Sequence, residues 1–240
     1  MNFTKTGLLL ILALVLFFIF SCSKKNSDYQ PDYQYDYYPV DTGHYVIYQV
    51  DSITFDNNFN PPRSDTNRYQ IREYIESIFI DNEGREANRI ERYVRKDSTQ
   101  SWRIKNAWYS VLNQTSAERI EENLRFIKLV FPPDVGQTWR GNKFLKITPE
   151  IDYYEGWEYE ITETGVPATV NGNTFSETLL VAHIDEENLI EKTFSEERYA
   201  RGVGLIEREF LHLEKQNVSN PWSKPESGFI LRMNILDYKK

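Results

Sequence analysis

The sequence predicts an all-β protein, an antiparallel meander of about ten strands forming a curved sheet, half-barrel or small barrel. Three observations carry this expectation. Aromatic residues make up 15% of the 240 residues, with 16 Tyr and 14 Phe, and such side chains fit the pleated, half-buried surface of a sheet. Short segments of apolar and β-branched residues recur along the chain, separated by Asn, Gly, Asp and Pro turn signals. Long Leu/Ala/Glu/Lys stretches with a period of 3.6, the mark of amphipathic helices, are missing.

Residues 45–55 open the series (Tyr45, Val46, Ile47, Tyr48, Val50, Ile53, Phe55). Residues 57–67, rich in Asn, Pro and Asp, read as a loop. Residues 69–80 form a long strand, Asp81-Asn82-Glu83-Gly84 a turn, and residues 89–96 return to make a hairpin. Residues 101–112 are an aromatic strand with Trp102, Trp108 and Tyr109. Residues 114–130 carry two signals. Thr115-Ser116-Ala117-Glu118 fits a helix capping box, but the apolar run 124–131, ended by Pro132-Pro133, is a strand signature, so a strand pair is expected. Residues 157–163 alternate. Val170-Asn171-Gly172-Asn173 holds the strongest hairpin signal, since both central residues tolerate positive φ. Residues 175–184, 189–199, 205–213 and 229–238 complete the set. Asp185-Glu186-Glu187-Asn188, Arg201-Gly202-Val203-Gly204 and a polar loop over 216–227 separate them. No linker interrupts residues 44–240, so one β-domain is expected. Its last strand is the natural partner of its first, which would close or nearly close the sheet and protect its edges.

The amino terminus has a different character. Lys5 precedes an unbroken apolar run of thirteen residues, Leu8 to Phe20. That is too short for a membrane-spanning helix, which needs roughly 20, and suits the core of a secretory leader. Ile19-Phe20-Ser21-Cys22 resembles the bacterial lipobox, which implies cleavage after residue 21 and acylation of Cys22. Cys22 is the single cysteine, so no disulfide framework is available. Acyl chains contribute about 0.8 kcal/mol per buried methylene, enough in combination for stable anchoring. Residues 22–43, with Tyr29, Tyr33, Tyr35, Tyr37 and Tyr38 among Asp28, Asp32 and Asp36, read as an extended tether whose last aromatics pack onto the domain.

Several segments suggest a family. Tyr38-Pro39-Val40 followed by Gly43-His44-Tyr45-Val46-Ile47-Tyr48 resembles the opening of uncharacterised envelope lipoproteins common in the Bacteroidetes. Residues 124–132, Thr138-Trp139-x-Gly141-Asn142, and Tyr199-Ala200-x-Gly202-Val203-Gly204-Leu205-Ile206 are similar to later parts of that family. The resemblance implies a curved-sheet or half-barrel fold and an outer-membrane lipoprotein, and it implies no activity. Ser23-Lys24-Lys25-Asn26 lacks the acidic cluster that marks surface export in that phylum, which points to a periplasm-facing anchor. Asp51-Ser52-Ile53 and Asp97-Ser98-Thr99 resemble its O-glycosylation triplets, Ser98 being the better placed.

Composition and motifs exclude much chemistry. The net charge is −8, opposite to the footprint of a nucleic-acid binder. There is no nucleophile elbow, Walker A loop, zincin motif or dinucleotide fingerprint. Gly202-Val203-Gly204 lacks the third glycine and the helix, and reads as a turn. His183 and His212 would form a metal site with Asp185 or Glu187 only if the sheet brought them together; ordinary strand positions are the favoured reading. Tyr153-Tyr154-Glu155-Gly156-Trp157-Glu158-Tyr159-Glu160 mixes rings and acids as a sugar site does, but a half-exposed strand looks the same. No catalytic, cofactor or metal residue is assigned, and Cys22 is the one site residue. The expectation is a non-enzymatic lipoprotein whose β-domain binds a small hydrophobic, lipid-like ligand in an aromatic-lined cavity, or an envelope protein partner. A structural or assembly subunit of an outer-membrane complex, docking through a sheet edge or the Tyr-rich tether, comes second, and a carboxylate-dependent hydrolase last.

Overall fold

Successive side chains of a strand face opposite ways, so the apolar phase of each segment decides which face turns inward. In β1 (Tyr45–Asp56) Val46, Tyr48 and Val50 are buried while their neighbours are half-exposed. β2 (Arg63–Ile80) and β3 (Glu86–Arg95) alternate over part of their length, β4 (Arg103–Leu112) buries Ser110 and Val111, and β5 (Ser116–Glu121) and β6 (Leu124–Val130) bury consecutive residues. A two-residue β7 (Thr138–Trp139) is followed by β8 (Tyr159–Val170), β9 (Asn173–Glu187), β10 (Glu191–Ala200), β11 (Gly204–Glu214) and β12 (Ser227–Lys239). The computed structural model describes residues 31–59 and 61–239. The leader, Cys22 and the first part of the tether lie outside the described residues.

All twelve strands belong to one antiparallel sheet in the order β6-β5-β4-β3-β2-β1-β12-β11-β10-β9-β8-β7. The expected pairing of first and last strands is present, Tyr45 opposite Lys239 through Phe55 opposite Gly228. Joined this way, the meander runs almost round a barrel, and its seam falls between β6 and β7. Two hydrogen bonds bridge that seam. The Ile127 amide donates to the Gly141 carbonyl (2.7 Å), and Trp139 Nε1 donates to the Ile127 carbonyl (2.9 Å). β8 contains Pro167, and its pairing with β9 has three register irregularities, features that discourage edge-to-edge pairing.

The strand pair over 114–130 forms as expected, and Asn171-Gly172 makes its hairpin, with φ of 48° and 82°. Two boundaries shift. β2 starts at Arg63, inside the loop expected over 57–67, because β1 continues to Asp56 and pairs there with Arg63. β9 runs through the expected turn to Glu187, since Phe194 and Thr193 supply partners for Asp185 and Glu186.

A twelve-stranded ring encloses more space than eight strands, whose lumen side chains alone just fill. Here long inward residues and a plug share the task. The plug is the 140–158 segment between β7 and β8, whose Tyr154 and Trp157 are buried against Phe210 with ring centroids 5.8 and 5.3 Å away.

Candidate functional site

The segments behind the family resemblance form two clasps. In the first, the entering chain makes a short 3-10 turn over Tyr35–Tyr37 and docks on the turn between β10 and β11. Gly202 N donates to Asp36 O (2.7 Å), and Arg201 Nε pairs with Asp36 (2.6 Å). His44 Nε2 bonds the Val203 carbonyl (3.0 Å), and Tyr48 donates to the Leu205 carbonyl (2.9 Å). Gly204 has φ +90° with Pro39 packed over it, a conformation other residues adopt at a cost. Tyr37 and Tyr38 are buried in the core. In the second clasp, Trp139 and Gly141 hold the seam, and Asn142 donates to the Tyr154 carbonyl. A Cβ on Gly141 would sit inside the Tyr159 ring.

Between the clasps lies a buried ionic chain contributed by six strands. Glu73 on β2 accepts from Arg92 Nε on β3 (2.9 Å) and from Arg119 on β5. Arg119 Nε faces Glu121 (3.6 Å), which takes Lys128 Nζ of β6 at 3.1 Å and Arg208 of β11 at 3.3 Å. Lys128 (2.9 Å) and Arg208 (3.5 Å) then share Glu197 of β10, which is fully buried. Tyr199 donates to the other Glu197 oxygen (2.5 Å). The Arg92 guanidinium lies 3.4 Å from the Trp108 ring centroid, a cation–π contact that compensates part of its desolvation.

Burial disfavours ionised carboxylates, but the cations outweigh it. Glu121 is driven up by burial and down further by Lys128, Arg208 and Arg119, ending at about 2. Glu197 ends well below the usual carboxylate range by the same balance, with Lys128 the largest opposing charge, and Glu73 is also lowered, chiefly by Arg119 and Arg92. General acid catalysis needs a carboxyl that keeps its proton near neutral pH; these three are held ionised.

The histidines are separated rather than gathered. His183 of β9 and His212 of β11 flank β10, and each bonds a different hydroxyl of that strand, Ser195 at 3.0 Å and Thr193 at 2.9 Å. His183 is stacked on Tyr159 (centroids 4.0 Å apart), and burial drives it down to about 3 despite Glu197. It is neutral at physiological pH, so its 3.6 Å approach to Glu197 is not an ion pair. No group of three His, Cys, Asp or Glu residues suited to a metal occurs among the described residues. In the mixed stretch 153–160, Tyr154, Trp157 and Tyr159 face inward and Glu155, Glu158 and Glu160 face solvent, so rings and acids share no cleft. Ser98 is exposed in the turn after β3, whereas Ser52 is half-buried within the β1 ladder.

A cavity of about 50 Å³ lies among Tyr38, His44, Tyr48, Glu73, Arg119 and Tyr199. Outside, exposed apolar side chains cluster where the β9–β10 turn meets the β11–β12 loop. Leu189 is 75% exposed, and Ile190 and Val218 are also exposed. Lys215 ties these loops together, its amide donating to Ile190 O (2.9 Å) and its Nζ to Asn220 O (2.7 Å).

Sequence reasoning passed over the ionic chain. Its signal was present: Glu73, Arg92, Lys128, Glu197 and Arg208 occupy the apolar phase of their strands, as in Ile71-x-Glu73-x-Ile75 and Ile206-x-Arg208-x-Phe210.

No family model matches the chain, and no curated protein matches its sequence. Among solved structures, a protein of Bacteroides fragilis taken to be exported, with a YmcC-like fold, aligns at 9% identity and a TM-score of 0.41, covering 84% of this chain and 98% of its own. A protein of Parabacteroides distasonis taken to be a lipoprotein aligns at 10% identity and a TM-score of 0.35, covering 85% and 98%. A domain from Vibrio parahaemolyticus, assigned to outer-membrane lipoprotein sorting, reaches 10% identity and a TM-score of 0.19 over 82% and 85%.

Proposed function

We propose that this chain is a non-enzymatic envelope lipoprotein, held by acyl chains on Cys22 at the periplasmic face of the outer membrane, that works by docking an envelope protein on its outer surface. The observation that carries this reading is the occupied barrel. Sites for lipid-sized ligands are mostly apolar and measure about 300–1,000 Å³, whereas the interior cavity is about 50 Å³ and lined in part by Glu73 and Arg119. That volume favours the outer surface over the small hydrophobic ligand expected from the aromatic content, since the inward aromatics pack against one another. The loop cluster of Leu189, Ile190 and Val218 is the docking face this reading favours, since grouped exposed apolar side chains mark interaction sites.

The test is in-cell photocrosslinking of the full-length lipoprotein, with a crosslinker placed in turn at Leu189 and Val218 and, as a control, at Glu209 on the outer wall. A discrete adduct common to both loop positions, absent at Glu209 and lost with Ile190→Asp, supports docking. No adduct at either loop position overturns it.

A further inference from the structure

The ionic chain does not balance. Arg92, Arg119, Lys128 and Arg208 stand against Glu73, Glu121 and Glu197, and every member is buried or nearly so. His183 adds no charge, since burial holds it neutral. Tyr38, Tyr48 and Tyr199 supply no anion either, because burial pushes each phenol above its ordinary value. One cationic charge is left over among these buried groups, where uncompensated charge is costly.

Tyr38 Oη is a buried donor with no hydrogen-bond partner among the described residues, and Arg119, whose Nε is turned to Glu121 at 3.6 Å and makes no hydrogen bond there, comes to the same place. Both residues line the 50 Å³ cavity, and Arg119 is the largest attractive charge acting on the Tyr38 phenol. The other tyrosine hydroxyls lining it are engaged, Tyr48 with Leu205 O and Tyr199 with Glu197. Glu73 also lines the cavity, but Arg92 and Arg119 occupy its two oxygens. The volume suits one or a few water-sized particles.

We infer that the cavity beside Tyr38 and Arg119 is a binding site for a small monovalent anion of chloride size, which completes the charge balance of the barrel interior. Tyr38 comes from the entering chain, and Arg119 comes from β5. The anion therefore pins the entering chain to the barrel wall, and its loss loosens that clasp first.

The test uses full-length protein in detergent, with thermal unfolding followed in chloride, bromide or bulky tosylate at matched ionic strength. Chloride and bromide are expected to raise the midpoint saturably, and tosylate is not. Tyr38→Phe keeps the ring but removes the donor, and a hydrogen bond to a charged group is strong enough that its loss should weaken chloride affinity about tenfold or more. Equal midpoints in the three salts, or an unchanged chloride response in Tyr38→Phe, overturn the inference. If Tyr38→Phe does not fold, chloride NMR of the unaltered protein decides. Broadening of the chloride line that bromide displaces supports the site, and an unbroadened line overturns it.

Discussion

Glu197→Gln is the sharpest perturbation of the barrel interior. The change is nearly isosteric, so it leaves packing against Tyr199 and His183 in place and removes only charge. In the native protein Glu197 is fully buried and takes Lys128 at 2.9 Å, Arg208 at 3.5 Å and the Tyr199 hydroxyl at 2.5 Å. Without its charge, Lys128 and Arg208 must share Glu121, and the cationic excess of the chain doubles. Breaking a buried pair by removing one partner costs about 3–5 kcal/mol. Domains are stable by about 5–15 kcal/mol, so the loss is a third or more of a typical total. At this size each kcal/mol moves the midpoint by about 2–4 °C, which predicts a fall of roughly 6–20 °C. Thermal unfolding followed by near-UV circular dichroism measures it, with Trp157 as an interior reporter. Glu209→Gln is the control. It removes an exposed pair with Arg232 at 2.8 Å, for which about 0–1 kcal/mol is expected. A Glu197→Gln loss no larger than that of Glu209→Gln would refute a structural role for the chain.

Two further predictions follow from the same interior. His183 sits at about 3 when folded against 6.5 when free, so the unfolded chain takes the proton first. The stability it contributes is complete above about pH 6.5 and is lost as the pH falls toward about 3. Glu121, at about 2 against 4.5, likewise contributes fully above about pH 4.5 and loses its share as the pH falls toward about 2. Stability measured by urea titration should therefore decline from pH 6.5 downward, and His183→Gln should flatten the part between 6.5 and 4.5. Gly141→Ala should destabilise by about 1–3 kcal/mol through overpacking against the Tyr159 ring, and hydrogen exchange of the Ile127 amide, which bridges the seam, should accelerate.

The sheet was legible because strand period and turn chemistry are local. Asn171-Gly172 and the apolar run before Pro132-Pro133 decide their own conformations, and the paired ends of the meander follow from them. The seam was hidden, since Trp139 and Gly141 act on Ile127 across the barrel and their pairing has no local trace. The ionic chain was partly visible as charges in the apolar phase of five strands. Its connectivity was not, because a strand period says that Glu197 points inward and not that Lys128, 69 positions earlier, meets it. Aromatic richness alone does not decide the interior: rings that line a cavity and rings that fill one give the same composition, and here Tyr154, Trp157 and Phe210 pack against one another. The histidines read as ordinary strand positions, and β10 stands between their strands.

The proposed function rests on a barrel interior too full for a lipid-sized ligand. Native mass spectrometry of the full-length lipoprotein, released from the envelope in mild detergent, tests this most directly. The expected mass is the polypeptide from Cys22 onward with its own covalent acyl groups and nothing lipid-sized besides. A further lipid-sized mass, retained by the folded protein and released on gentle activation, would contradict it.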